Sequence, residues 1–178
     1  MTAVIRILIV ALGAATLAGC GGGGPRVGPR VISPFGALTS AGGSQRFYGP
    51  NIGIDLAAPV GTPVLAAADG LVWSIGDDGP CGTVIVVAHE GLGTGAYLTR
   101  YCHLSVVRAT HQARVRRGDV IALTGTSGQT AASGFEHLHF ELRQGWDAID
   151  PMPFIGGCFD QGETYSTTRL VLTYPLAC

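Results

Sequence analysis

The chain has 178 residues, 47% of them hydrophobic and 13% charged, with a formal net charge of −1. That balance suits a globule with one core and excludes a disordered polyelectrolyte. Its basic residues are all arginine, form no run and interleave with no aromatic patch, which excludes nucleic acid as a partner.

In chain order, Arg6 precedes an apolar stretch from Ile7 to Leu17 that ends in small residues and a cysteine, the pattern of an export signal. The stretch falls short of the roughly 20 apolar residues that a membrane-spanning helix needs. Leu17-Ala18-Gly19-Cys20 resembles the bacterial lipobox. The resemblance implies that Cys20 is lipidated, becomes the mature N-terminus and anchors the chain to a membrane. Gly21 in place of an aspartate implies, by likeness to Gram-negative sorting, the periplasmic face of the outer membrane. Glycines 21–24 and the Pro/Arg/Gly segment to Val31 read as a tether. The expected organisation is a signal at 1–20, a tether at 21–31, one domain at 32–155 and a β extension at 156–178.

Short β-type runs broken by Gly and Pro follow at Pro63 to Ile75, Thr83 to Ala88, Ala96 to His103, Val120 to Thr124 and His137 to Arg143. No helical periodicity persists. The expected fold is therefore all-β, an antiparallel sandwich or barrel-like sheet. With Cys20 set aside, Cys81, Cys102, Cys158 and Cys178 remain, an even count that in an exported chain argues for disulfides. A hairpin through the turn at Gly91 to Gly95 would bring Cys81 near Cys102. Cys158 with Cys178 would then staple the extension, whose Arg169 to Tyr174 run alternates like a further strand.

Chemistry concentrates in Asn51-Ile52-Gly53-Ile54-Asp55, Tyr101-Cys102-His103-Leu104 and His137-Leu138-His139-Phe140-Glu141. On a strand, His137 and His139 project from one side about 7 Å apart. Two imidazoles there are unfavourable unless they bind something or satisfy each other, and the pair alone does not decide between a metal or catalytic site and a structural pair. Glu141 shares that face, as a partner of the histidines or as an ordinary strand carboxylate. Tyr97, Thr99 and Tyr101 are expected to alternate onto the His103 face, lining a groove or pairing across strands. His89 and His111 read as structural and surface histidines.

From Ser33-Pro34-Phe35-Gly36, through Gly53 to Val64, Ala67-Ala68-Asp69-Gly70, Tyr101 to Leu104 and Val115 to Gly128, to His137 to Arg143 and Asp150-Pro151, the chain resembles the lysostaphin/LytM-type zinc metallopeptidases of bacterial cell walls. The resemblance implies the family's duplicated hybrid β motif and an endopeptidase acting on peptidoglycan peptides. It implies one zinc ion held by Asp55 and His139, with His103 and His137 as the proton-handling catalytic pair. The family's remaining ligand is a histidine, and here that position holds Asn51, a poorer donor that implies weak zinc binding. The alternative is an inactive relative that binds peptidoglycan or activates another cell-wall hydrolase. A lipoyl or biotinyl carrier is excluded, since the chain has no lysine to modify. A monomer is the default state.

Overall fold

The computed structural model describes residues 26–40, 47–89, 96–128 and 136–178. The expected signal with Cys20, glycines 21–24 and the turn at 91–95 lie outside the described residues. Among the described residues fifteen strands follow one another: β1 (Val31–Ser33), β2 (Leu38–Ser40), β3 (Phe47–Pro50), β4 (Ile54–Ala57), β5 (Pro63–Leu65), β6 (Gly70–Asp78), β7 (Gly82–His89) and β8 (Tyr97–Cys102) in the first part. The second part carries β9 (Leu104–Val107), β10 (Arg114–Val115), β11 (Val120–Thr124), β12 (His137–Gln144), β13 (Asp147–Ile149), β14 (Ile155–Gly157) and β15 (Leu172–Thr173). Among the described residues there is no α-helix.

An eight-stranded antiparallel sheet runs in the order β1-β4-β12-β8-β7-β6-β10, with β13 paired to β12. A three-stranded sheet, β5-β11-β9, closes over one face. Between the two, Ile54, Leu56, Val64, Val72, Ile85, Val87, Tyr101, Ala122, Leu138, Phe140 and Leu142 are wholly buried. Burial of each larger side chain among them contributes on the order of 1.5–3 kcal/mol. Alternation decides what the other face receives. Because Leu138, Phe140 and Leu142 of β12 fill this core, His137, His139, Glu141 and Arg143 must stand on the opposite face.

The expected run from Pro63 to Ile75 is two strands in different sheets, β5 and β6. The small buried Ala66, Ala67 and Ala68 carry the chain across. Their backbone bonds come from elsewhere: Ala66 N–H donates to Asp119 O at 2.9 Å, Ala67 N–H to the Tyr101 hydroxyl at 2.9 Å, and Ala67 O accepts from Thr173 N–H at 2.8 Å. The expected strand from Arg169 to Tyr174 shrinks to β15, which pairs parallel to β14. Its neighbours are held by other means, since Leu170 and Leu176 join the core alongside Leu172 of the strand itself.

Arg117 ties this tail down. Its guanidinium donates to Ala67 O and Val171 O, each at 2.7 Å, and lies 3.9 Å from the centre of the Tyr165 ring. The Cys158–Cys178 disulfide closes the tail on itself, as expected, a constraint worth about 3 kcal/mol for a loop of this order. The tail also grips the start of the described chain. Arg26 donates to Phe159 O at 3.0 Å and pairs with Asp160 at 3.2 Å. The Tyr174 ring lies on Gly28 so closely that a Cβ there would stand 2.3 Å from it.

Candidate active site

Strand β12 sits between β4 and β8, so His139 faces Asp55 on one side and Cys102 on the other. Asp55 Oδ1 lies 2.7 Å from His139 Nδ1 and 3.9 Å from His137 Nε2. His103 joins the group from the next connection, with its ring centroid 4.9 Å from that of His137 and 6.0 Å from that of His139. The structure thus brings Asp55, His103, His137 and His139 into one cluster. His103 and His137 are almost fully buried.

His103 arrives by a backbone device that strand periodicity does not anticipate. It follows β8 with φ of 62°, the left-handed region that few non-glycine residues occupy. The turn breaks the period of two. Tyr97, Thr99 and Tyr101 therefore do not share its face, contrary to expectation: Tyr101 is buried against Phe140, with ring centroids 5.3 Å apart, Thr99 Oγ1 lies 2.8 Å from His89 Nε2, and Tyr97 packs on Phe154. His89 is structural, its Nδ1 also 2.8 Å from the Asp69 carbonyl. His111 is exposed, with Nε2 3.1 Å from the Trp73 carbonyl.

The histidines differ electrostatically. His103 Nδ1 lies 2.8 Å from the carbonyl of Ser127, and a carbonyl only accepts, so Nδ1 carries the hydrogen. Burial, and then the neighbouring imidazoles, lower the His103 pKa to about 4 against the opposing Ser127 bond. His103 is thus neutral near pH 7, with Nε2 unprotonated. His139 behaves in the opposite way. Burial lowers it, but hydrogen bonds to Asp55 and Glu141 prevail and raise it to about 9.

Glu141 is the residue whose role the sequence left open. It is 2% exposed, with Oε1 3.3 Å from His139 Nε2. Arg100 donates to both its oxygens at 3.0 and 3.1 Å, and Arg143 Nε donates at 2.7 Å. Burial raises its pKa, yet the His139 hydrogen bond and the two arginines hold it at about 2. Arg100 reaches on to Asp78. The carboxylate fixes the far nitrogen of His139 while Asp55 faces the near one.

Asn51 is 7% exposed, and its carboxamide is committed on both sides. Oδ1 accepts from Gly53 N–H at 3.1 Å, and Nδ2 donates to Ser33 Oγ at 3.0 Å and to Ser33 O at 3.4 Å. Ser33 is the register partner of Asp55 across β1 and β4, so Asn51 pins the strand beside the site. Ser33, Ser127, Arg100 and Arg143 all serve this site without having been expected to. Ser33, Ser127 and Arg143 lie in the runs that carry the family resemblance, and Arg143 also stands two residues beyond Glu141 on the same face; Arg100 carried no signal.

A divalent metal suits the donors at two positions: the Asp55 carboxylate and the His139 imidazole, side by side and of the types zinc takes. A catalytic zinc takes three protein ligands. Asn51, expected as the third, has its carboxamide engaged by Ser33 and Gly53, so the fit is partial. Cys81, Cys102 and Glu141 also lie close together. The two cysteines are joined in the expected disulfide and offer no thiolate.

An all-β fold thus gathers a carboxylate and three histidines on the side of its sheet away from the core, donor types that divalent metals take. Residues 49–151 match the model of Peptidase family M23, and the chain belongs to that family. It is 34% identical over 128 residues to the DD-carboxypeptidase/endopeptidase Mpg of Neisseria meningitidis serogroup B, covering 72% of this chain and 27% of that protein. The chain thus spans about a quarter of that relative. The catalytic domain of the antimicrobial peptidase lysostaphin from Staphylococcus simulans superposes with a TM-score of 0.59 and 26% identity, over 71% of this chain and 91% of that one. A zinc-containing peptidase from Vibrio cholerae gives 0.58 and 31%, over 70% of this chain and 36% of that one.

Proposed function

We propose that the chain is a metalloendopeptidase of peptidoglycan peptides with a weakened zinc site, held in the cell envelope by a lipid on Cys20. The observation that carries this reading is the convergence of Asp55, His103, His137 and His139. A protein that only binds has no use for a neutral imidazole with a free Nε2 beside a carboxylate–histidine pair. Asp55 and His139 would hold the zinc, with Asn51 the weak third position. Zinc, when bound, supplies Lewis-acid polarisation of a carbonyl and a water more easily deprotonated. His103 then takes up a proton at Nε2 while Nδ1–H stays on Ser127. His137, 3.9 Å from Asp55, would stabilise the developing oxyanion. Glu141 keeps the His139 ring in place, the kind of outer contact whose loss lowers metal affinity about 10 to 100-fold.

One observation favours a second reading, a non-hydrolytic domain that binds peptidoglycan or activates another hydrolase: the Asn51 carboxamide is already committed to Ser33 and Gly53. Metal content and muropeptide release from purified sacculi, measured on the wild-type chain and on Asn51→His without chelator, separate the two. One zinc per wild-type chain together with release is the expected result. A metal-free, inert wild type beside a zinc-loaded Asn51→His would overturn the enzyme reading in favour of the second.

A further inference from the structure

We infer that the Cys81–Cys102 disulfide is a positioning device for His103, beyond its contribution to stability. Cys102 is the residue immediately before His103, and its sulfur is bonded to Cys81, whose carbonyl accepts the His103 N–H at 2.9 Å. One residue pair thus holds His103 twice, covalently through its neighbour and by hydrogen bond through its own amide. This hold bears on a residue kept in the left-handed region, a conformation that persists only where its surroundings impose it.

The loop that receives the His103 ring is held by Gly82 and Thr83, the two residues that follow Cys81. The Ser127 carbonyl accepts from Nδ1, and Ser127 Oγ donates to Leu104 O at 2.9 Å and accepts from Thr83 N–H at 3.0 Å. Gly82 lies so close that a Cβ on it would stand 2.3 Å from the backbone of Ser127 and Gly128. Residues 81–83 therefore grip both the backbone of His103 and the acceptor of its ring. With the bond removed, Cys81 and the two residues after it keep only noncovalent ties to β8.

The inference deepens the proposed enzyme reading, because it supposes that His103 works at the site, but its test does not depend on activity. In the full chain, Cys81→Ala/Cys102→Val removes the cross-link while keeping apolar bulk, and Cys158→Ala/Cys178→Ala removes the other disulfide as a control. Amide hydrogen exchange and ring resonances of His103 are read by NMR in both. The inference expects His103 exchange about tenfold faster, the loss of roughly one hydrogen bond's protection, and shifted ring signals in the first variant only. Where wild type releases muropeptides, release should fall about 100-fold, the scale of a 1 Å misplacement. Should the first variant not fold, the Cys158→Ala/Cys178→Ala variant treated with a thiol reductant, which then opens the Cys81–Cys102 bond without changing its residues, must still show faster His103 exchange. Unchanged exchange and ring signals in a folded variant would overturn the inference. An inert wild type with the expected NMR changes would instead count against the enzyme reading alone.

Discussion

Truncating Asn51 to alanine separates its two possible uses, since as a pin of the β1–β4 edge it acts without any metal. The substitution leaves the backbone bonds of residue 51 intact, with its N–H on Ala37 O and its carbonyl on Gly36 N–H. It removes the acceptor of the buried Gly53 N–H, and an unsatisfied buried donor costs about 1–3 kcal/mol. It also removes the bond to Ser33 Oγ, worth about 0.5–1.5 kcal/mol. Ser33 is only half-buried, so water makes up part of that loss, and the sum comes to about 2–3 kcal/mol. For a domain of this size that lowers Tm by about 4–12 °C. The assay is urea unfolding in excess chelator, where no metal contributes. Asn51→Asp refines it, because it keeps the acceptor for Gly53 and turns an oxygen toward the Ser33 carbonyl, so it too should destabilise. A loss below about 0.5 kcal/mol, the range of an ordinary surface substitution, would refute the reasoning and leave the carboxamide free to turn toward a metal.

Arg117→Lys should lower stability by about 2–3 kcal/mol, since a point charge cannot serve two carbonyls and a ring at once. Proteolysis within the tail should become easier, and a lysine variant that unfolds with wild type would sink the assignment. Acid should destabilise the chelator-treated protein through His103. As pH falls below the unfolded value of 6.5, the unfolded state takes up the proton first, and the folded state follows only near 4. Stability is thus lost between those values and flat below, by about 3 kcal/mol from this group. His89, also lowered by burial, adds loss in the same direction, so the comparison is with His103→Gln, whose urea midpoint should fall less steeply across that window. Parallel curves would exclude a depressed His103.

Much of the site was legible because its residues lie on strands with clear alternation. β7, β8, β11 and β12 fall within a residue or two of the expected runs, and the Cys81–Cys102 pairing follows once β7 and β8 form a hairpin. The failures share a cause, contacts that join positions far apart in sequence. Ala66 to Ala68 carry apolar character that suits a strand, and only the tail and the loop at Asp119 reveal that they cross between sheets. The His103 turn depends on Cys81 and Ser127, so alternation misplaced Tyr97, Thr99 and Tyr101. Whether Glu141 was a surface carboxylate turned on Arg100, its partner on a neighbouring strand. The hold of Ser33 on Asn51 spans 18 positions, and no spacing in the sequence announces it.

The tail's grip on Arg26 and Gly28 has a mechanical consequence. Among the described residues, tension that enters along the chain from its amino-terminal side meets residue 26 first, where the Asp160 carboxylate and the Phe159 carbonyl hold the guanidinium. The load then passes into the loop closed by Cys158 and Cys178, and from there through Arg117 into the body of the protein. β1, whose Ser33 stands across from Asp55, lies downstream of that anchor. A pull strong enough to stretch the connection would be borne by the stapled tail before it could shear the strand that aligns the carboxylate.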